Sequence, residues 1–129
     1  MSIRLRLRIQ QQMVAAVKVG RTFFLSVLLL FLAAGDYHRA VDCTQRALCY
    51  MEPGRDFGRG IAVFVQGMAS YALQGEEQAV AFCVKISDDS LEGVVVRARA
   101  LESLCHIFGI ASRPIEQERA ARALLKLAQ

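Results

Sequence analysis

Apolar residues recur along this chain at helical spacing, in blocks separated by short polar or glycine-bearing breaks. From residue 22 onward the breaks fall at Gly35-Asp36, at Glu52-Pro53-Gly54-Arg55-Asp56, at Gln74-Gly75, at Asp89-Ser90 and at Arg113-Pro114. They predict helices over about 22–34 and 37–51, from 57 to the break at Gly75, over 76–86, from the region of Asp89 towards Arg113, and over 115–128. The helix over 37–51 has Asp36 as its expected N-cap and a face of Ala40, Val41, Thr44, Ala47, Leu48 and Met51. In the next helix Ile61, Phe64, Val65, Met68 and Ala72 follow the helical period, and Ala79, Val80 and Cys83 mark the core side of the one after it. Asp89-Ser90-Leu91-Glu92 fits a capping box ahead of a stripe of Val94, Ala98, Leu101, Cys105 and Phe108. The last helix offers Ile115, Ala121, Leu124, Leu125 and Ala128. Gly60 and Gly67 each weaken their helix by about 1 kcal/mol relative to alanine, which makes sense where a neighbouring helix approaches closely.

The start of the chain reads differently. Residues 2–9 alternate Ile3, Leu5, Leu7 and Ile9 with Arg4, Arg6 and Arg8, a strand period with no partner strand, and are expected to be a frayed leader before a short helix over about 10–19. Residues 1–21 therefore form a basic leader, and residues 22–129 the helical domain. The uncharged run over 22–35 is too short to span a bilayer as a helix, which takes about 20 residues. Three readings stand: a buried core helix, the apolar part of a secretory signal, or a short membrane anchor. The core helix is preferred because the run joins directly to the Gly35-Asp36 turn, in phase with the later helix pairs.

The breaks organise the helices into pairs, each with a small residue early in its second helix. Gly67 precedes Ala79 by the same interval that separates Gly109 from Ala121 and Leu28 from Ala40. The pattern is similar to tetratricopeptide-like repeats, in particular the degenerate kind of MalT-like regions in large bacterial regulators. The step from Ala40 to Ala79 to Ala121 is longer than the usual repeat of about 34 residues. The strict consensus tryptophan is missing, with Phe24 nearest its place. The resemblance implies an all-α, right-handed helical-repeat solenoid of about three antiparallel pairs. A plain helical bundle is the alternative built from the same helices.

Charge and candidate chemistry narrow the function. The formal charge of +4 comes from residues 1–21, which hold five basic side chains and no acid, leaving eleven basic against twelve acidic in the rest. A nearly neutral body with mixed charges does not advertise nucleic-acid binding, and the last helix sets Glu116 and Glu118 among Arg113, Arg119, Arg122 and Lys126. Cys43, Cys49, Cys83 and Cys105 fit no metal spacing, and Cys43, Cys83 and Cys105 read as buried reduced thiols, in keeping with a cytoplasmic protein. Cys105 and His106 are neighbours on a helix, so their side chains diverge and make no nucleophile–base pair. No metal, no cofactor and no catalysis are expected.

The expectation is a non-enzymatic module that binds a protein or peptide, or senses an inducer, on a concave surface lined by the first helix of each pair. Gln66, Ser70, Tyr71, Arg97, Glu102 and His106 are the polar and aromatic positions on those helices that the expected core stripes leave unclaimed. Self-association through open repeat ends is a further expectation, as is origin as a piece of a longer regulator. The competing reading is an exported or membrane-attached small helical protein targeted by residues 1–35.

Overall fold

A computed structural model describes residues 3–4, 33–50 and 56–129. The preferred core helix over 22–34, the helix over 10–19 and most of the basic leader lie outside the described residues. Among the described residues the chain is all-α, with five helices: α1 Tyr37–Tyr50, α2 Asp56–Gln74, α3 Glu76–Ser87, α4 Val94–Ile110 and α5 Pro114–Ala128.

The connections explain the helix limits. Gly35 and Gly75 lie at φ 72° and 95°, backbone that glycine enters without steric cost, so they end one helix and admit the next within a residue or two. At the third such turn the left-handed residue is Ser112, at φ 57°. Arg113 N–H donates to Phe108 O at 2.8 Å and Ser112 N–H to Gly109 O at 3.2 Å, which satisfies carbonyls at the end of α4. Pro114 then starts α5, where a missing N–H costs nothing.

The expected capping box at Asp89 does not form. Gly93 is the N-cap of α4 and makes no side-chain cap bond. Asp89 Oδ1 instead accepts Leu91 N–H at 2.9 Å, a local turn, and Glu92 is drawn away to Arg59 on α2. A charged partner on another helix outcompetes a backbone N–H for that carboxylate.

α1 packs on α2, α2 on both α3 and α4, α3 on α4, and α4 on α5. Among the described residues α1 does not pack on α3, nor α3 on α5. α2 and α3 form a hairpin in which Gly67 and Cys83, equidistant from Gly75, touch. α2 and α4 run parallel, since Gly60 meets Val95 and Arg99 while Gly67, further along, meets Ser103. A Cβ on Gly67 would stand 2.9 Å from Cys83 Sγ and 3.2 Å from Ser103 Cβ, and one on Gly60 would stand 3.0 Å from Arg99 Cγ. Both glycines thus sit at close helix approaches.

The core selects small residues over large ones. On α2 the buried positions besides Gly60 and Gly67 are Ala62, Val63, Val65 and Ala69, together with Gln66 and Ser70. Of the stripe expected from periodicity only Val65 is fully buried; Ile61, Phe64 and Met68 are half-buried and Ala72 is exposed. The period of α2 does mark an apolar side, yet the tight approaches to α1, α3 and α4 bury the side with small side chains. α4 buries Val96, Ala100, Leu101, Ser103, Leu104, Ile107 and Phe108, while Val94 is exposed and Ala98 and Cys105 are half-buried. On α5 the buried small residue is Ala120, one position before the expected Ala121, and Ile115, Leu125 and Ala128 are exposed. Gly109 correspondingly faces the Gln117 side chain and not a neighbouring alanine.

Candidate functional site

The six candidate contact residues divide into three groups. Gln66 and Ser70 belong to the core, only 7% and 4% exposed, on the side of α2 that carries Ala62 and Ala69. They are withdrawn as surface contacts, because the face the sequence assigned to solvent is the face that packs. Gln66 Oε1 is buried without a hydrogen-bond partner.

Tyr71, Glu102 and His106 border the contact between α2 and α4. His106 is exposed and stands edge-to-face on Phe64, with ring centroids 5.9 Å apart and planes at 79°. Glu102 accepts from Arg99 at 2.8 Å, and both side chains are about half-buried. Tyr71 packs at the edge of the cluster formed by Ala79, Cys83, Leu104 and Ile107. Phe57, 60% exposed, and the half-buried Ile61 and Met68 extend this side along α2. The periodicity of α2 picks out Ile61, Phe64 and Met68 as one stripe: Ile61 and Met68 pack on the rims of the core clusters, as expected, while Phe64 meets His106 instead of the buried core.

Arg97 lies elsewhere. Its Nε donates to Ser87 O at 2.9 Å, so it caps the end of α3 and lines a pocket between α3, α4 and α5. Arg97 and His106 therefore serve different surfaces of α4.

The most buried ionic group is structural in position. Arg59 Nε donates to Glu92 Oε2 at 2.8 Å and Oε1 at 3.0 Å, its Nη2 also reaches Glu92, and Nη1 donates to Leu48 O at 3.2 Å. Their side chains are only 12% and 5% exposed. Donation of hydrogen bonds to Glu92 raises the Arg59 pKa above its ordinary value despite burial. This clasp joins the end of α1, the start of α2 and the loop before α4. A second arginine, Arg113, links Glu76 at the start of α3 to Glu116 on α5, with all three side chains open to solvent.

The cysteine chemistry follows burial. Burial pushes the Cys43 and Cys83 thiols up to about 12, with Asp42 adding to the effect at Cys43 and a Ser103 hydrogen bond opposing it at Cys83. Cys105 is raised for the same reason, with Glu102 second. Such thiols stay protonated at neutral pH and act as small hydrophobes. All four cysteines are free, and Cys49 is exposed. Cys105 packs with Leu101 and Phe108 while His106 turns to Phe64, so the two side chains do diverge. Among the described residues no group of three or more His, Cys, Asp or Glu could hold a metal ion, and no helix is long and apolar enough to cross a membrane.

No protein-family model, curated protein or solved structure matches the chain.

Proposed function

We propose that this chain is a non-catalytic, tetratricopeptide-like module that binds an extended or helical peptide segment of a protein partner along the outer side of α2 and α4. The observation that carries this reading is the order of contacts. α2 and α4 run parallel and touch, each also packs on the helix that follows it, and α3 packs on α4 but not on α5. Helix pairs stacked in one direction have this order, and the first helices of successive pairs then share one face. Here that face holds Phe57, Phe64 and His106 beside the Arg99–Glu102 pair. Aromatic side chains with an adjacent charged pair favour peptide binding, since they provide apolar contact area at low entropic cost together with polar groups that fix register.

The test is selection of peptides from a random display library on the full chain, followed by measurement of each enriched peptide against face variants. Related peptides whose affinity falls roughly tenfold or more on Phe64→Ala or His106→Ala support the reading. Absence of any enriched sequence family, or affinities unchanged by both substitutions, contradicts it.

A further inference from the structure

We propose that the pocket between α3, α4 and α5 is a receptor for a free aliphatic α-amino acid. The pocket exists because α3 and α5 both pack on α4 and not on each other. It is an open cavity of about 410 Å³, within the range of small-molecule sites, lined by Ser87, Asp88, Arg97, Leu101, Ala123, Lys126 and Leu127.

Its charges share one cavity without pairing. Arg39, Arg46, Arg59, Arg99, Arg113 and Arg122 each pair with a carboxylate. Arg97, Asp88 and Lys126 line one cavity yet, among the described residues, form no ion pair with one another or with any other group. Arg97 is held in place by its Nε bond to Ser87 O, which leaves its terminal nitrogens for another acceptor. Asp88 follows Ser87 directly and lines the same cavity at an exposed position, with no ion pair to Arg97.

Two cations, one carboxylate and an apolar wall match a zwitterion with an aliphatic side chain. The ligand carboxylate is received by Arg97 and Lys126, in the geometry for which guanidinium is suited. Its ammonium is met by Asp88, and its side chain lies against Leu101, Ala123 and Leu127. A simple carboxylate would leave Asp88 unpaired and repelling, and a peptide C-terminus lacks the ammonium that Asp88 requires. The site lies on the α3–α5 side of α4 and shares no residue with the Phe64–His106 face.

The experiment is calorimetric titration of the full chain with L-leucine. Saturable binding is expected, weakened roughly tenfold or more for 4-methylpentanoate, which lacks the ammonium, and for 3-methylbutylamine, which lacks the carboxylate. Lys126→Gln and Asp88→Asn, both at exposed positions, should weaken leucine to a similar degree with helical circular dichroism unchanged. Ala123→Trp, also exposed, fills the cavity and should abolish binding. No saturable binding up to roughly tens of millimolar, far weaker than any specific site, overturns the proposal. So does leucine affinity unchanged in Ala123→Trp, or a leucine-terminated peptide that binds as well as the free amino acid.

Discussion

The two sides of α2 are built from different residues and are packed to different degrees. The inner side carries Arg59, Ala62, Val63, Gln66, Gly67, Ala69 and Ser70, small or polar, and nearly all of it is buried. The outer side carries Phe57, Ile61, Phe64 and Met68, larger and more apolar; Phe57 is exposed, and Ile61 and Met68 are half-buried on the rims of the core clusters. A rule that puts the largest apolar residues inside would reverse the helix. Close helix approach decides instead: parallel helices that meet at Gly60 and Gly67 exclude bulk from the contact and leave it on the surface. Substitutions on the inner side should therefore unfold the protein, and those on the outer side should leave it folded.

The largest effect is expected at the clasp. Glu92→Ala takes the carboxylate away from the buried Arg59 guanidinium, and denaturant titration should show a loss of about 3–5 kcal/mol. Replacing both members, Arg59→Met with Glu92→Leu, should recover most of that loss, because the stranded charge and not the missing pair causes it. If the single and double variants are equally destabilised, the clasp contributes mainly through the other bonds of Arg59, that to Leu48 O among them.

Glycine substitutions sharpen the contrast. Gly67→Ala sets a methyl against Cys83 and Ser103 and should cost about 1–3 kcal/mol. Gly109→Ala meets only the end of the Gln117 side chain, at 2.7 Å, which can swing away. The helix gains about 1 kcal/mol in propensity and loses the Gln117 bond to Cys105 O, worth about the same, so the change should be near neutral. Equal costs at the two glycines would contradict the close approach at Gly67.

The buried thiols give a pH test of the same inner packing. In both Cys43 and Cys83 the folded-state pKa is raised above the ordinary 9.0, so the native state prefers the protonated thiol. Their contribution to stability is fully present below the unfolded value and is lost as pH rises from about 9 towards about 12. The melting temperature should fall across that window, and Cys83→Ala should make the fall shallower. At neutral pH a thiol reagent should label Cys49 first, Cys105 more slowly, and Cys43 and Cys83 only on unfolding.

The smallest expected stability effect lies on the outer side. Phe64→Ala should cost about 1 kcal/mol or less and His106→Ala still less, since both are already partly or largely in solvent. A cost above about 3 kcal/mol for Phe64→Ala would place it in the core and erase the distinction between the two sides.

Much of this architecture is legible in the sequence because turns are local chemistry. Gly35, Gly75 and Pro114 punctuate the chain where the helices end or begin, and Gly60 and Gly67 signal close approach. What could not be read is non-local. The pull of Arg59 on Glu92 reaches across 33 residues and overrides a local capping motif that is correct in form. The burying side of α2 depends on which neighbours arrive, so Gln66 and Ser70 look like free polar positions until α1, α3 and α4 are in place. In α5, Ala120 and Ala121 are both small and adjacent, and only the direction of packing separates them. Of the candidate surface residues, His106 and Glu102 keep solvent access, while Arg97 turns to a pocket that no spacing rule anticipates.

The most direct measurement is a chemical-shift map of the isotope-labelled full chain titrated with a display-selected peptide. The account predicts perturbations concentrated on Phe64, Tyr71, Arg99, Glu102 and His106, with Gln66, Ser70 and the Arg97 pocket little changed. Shifts centred on Arg97, Leu101, Ala123 and Leu127 with none at Phe64 or His106 would contradict it, and would show that recognition belongs to the other side of α4.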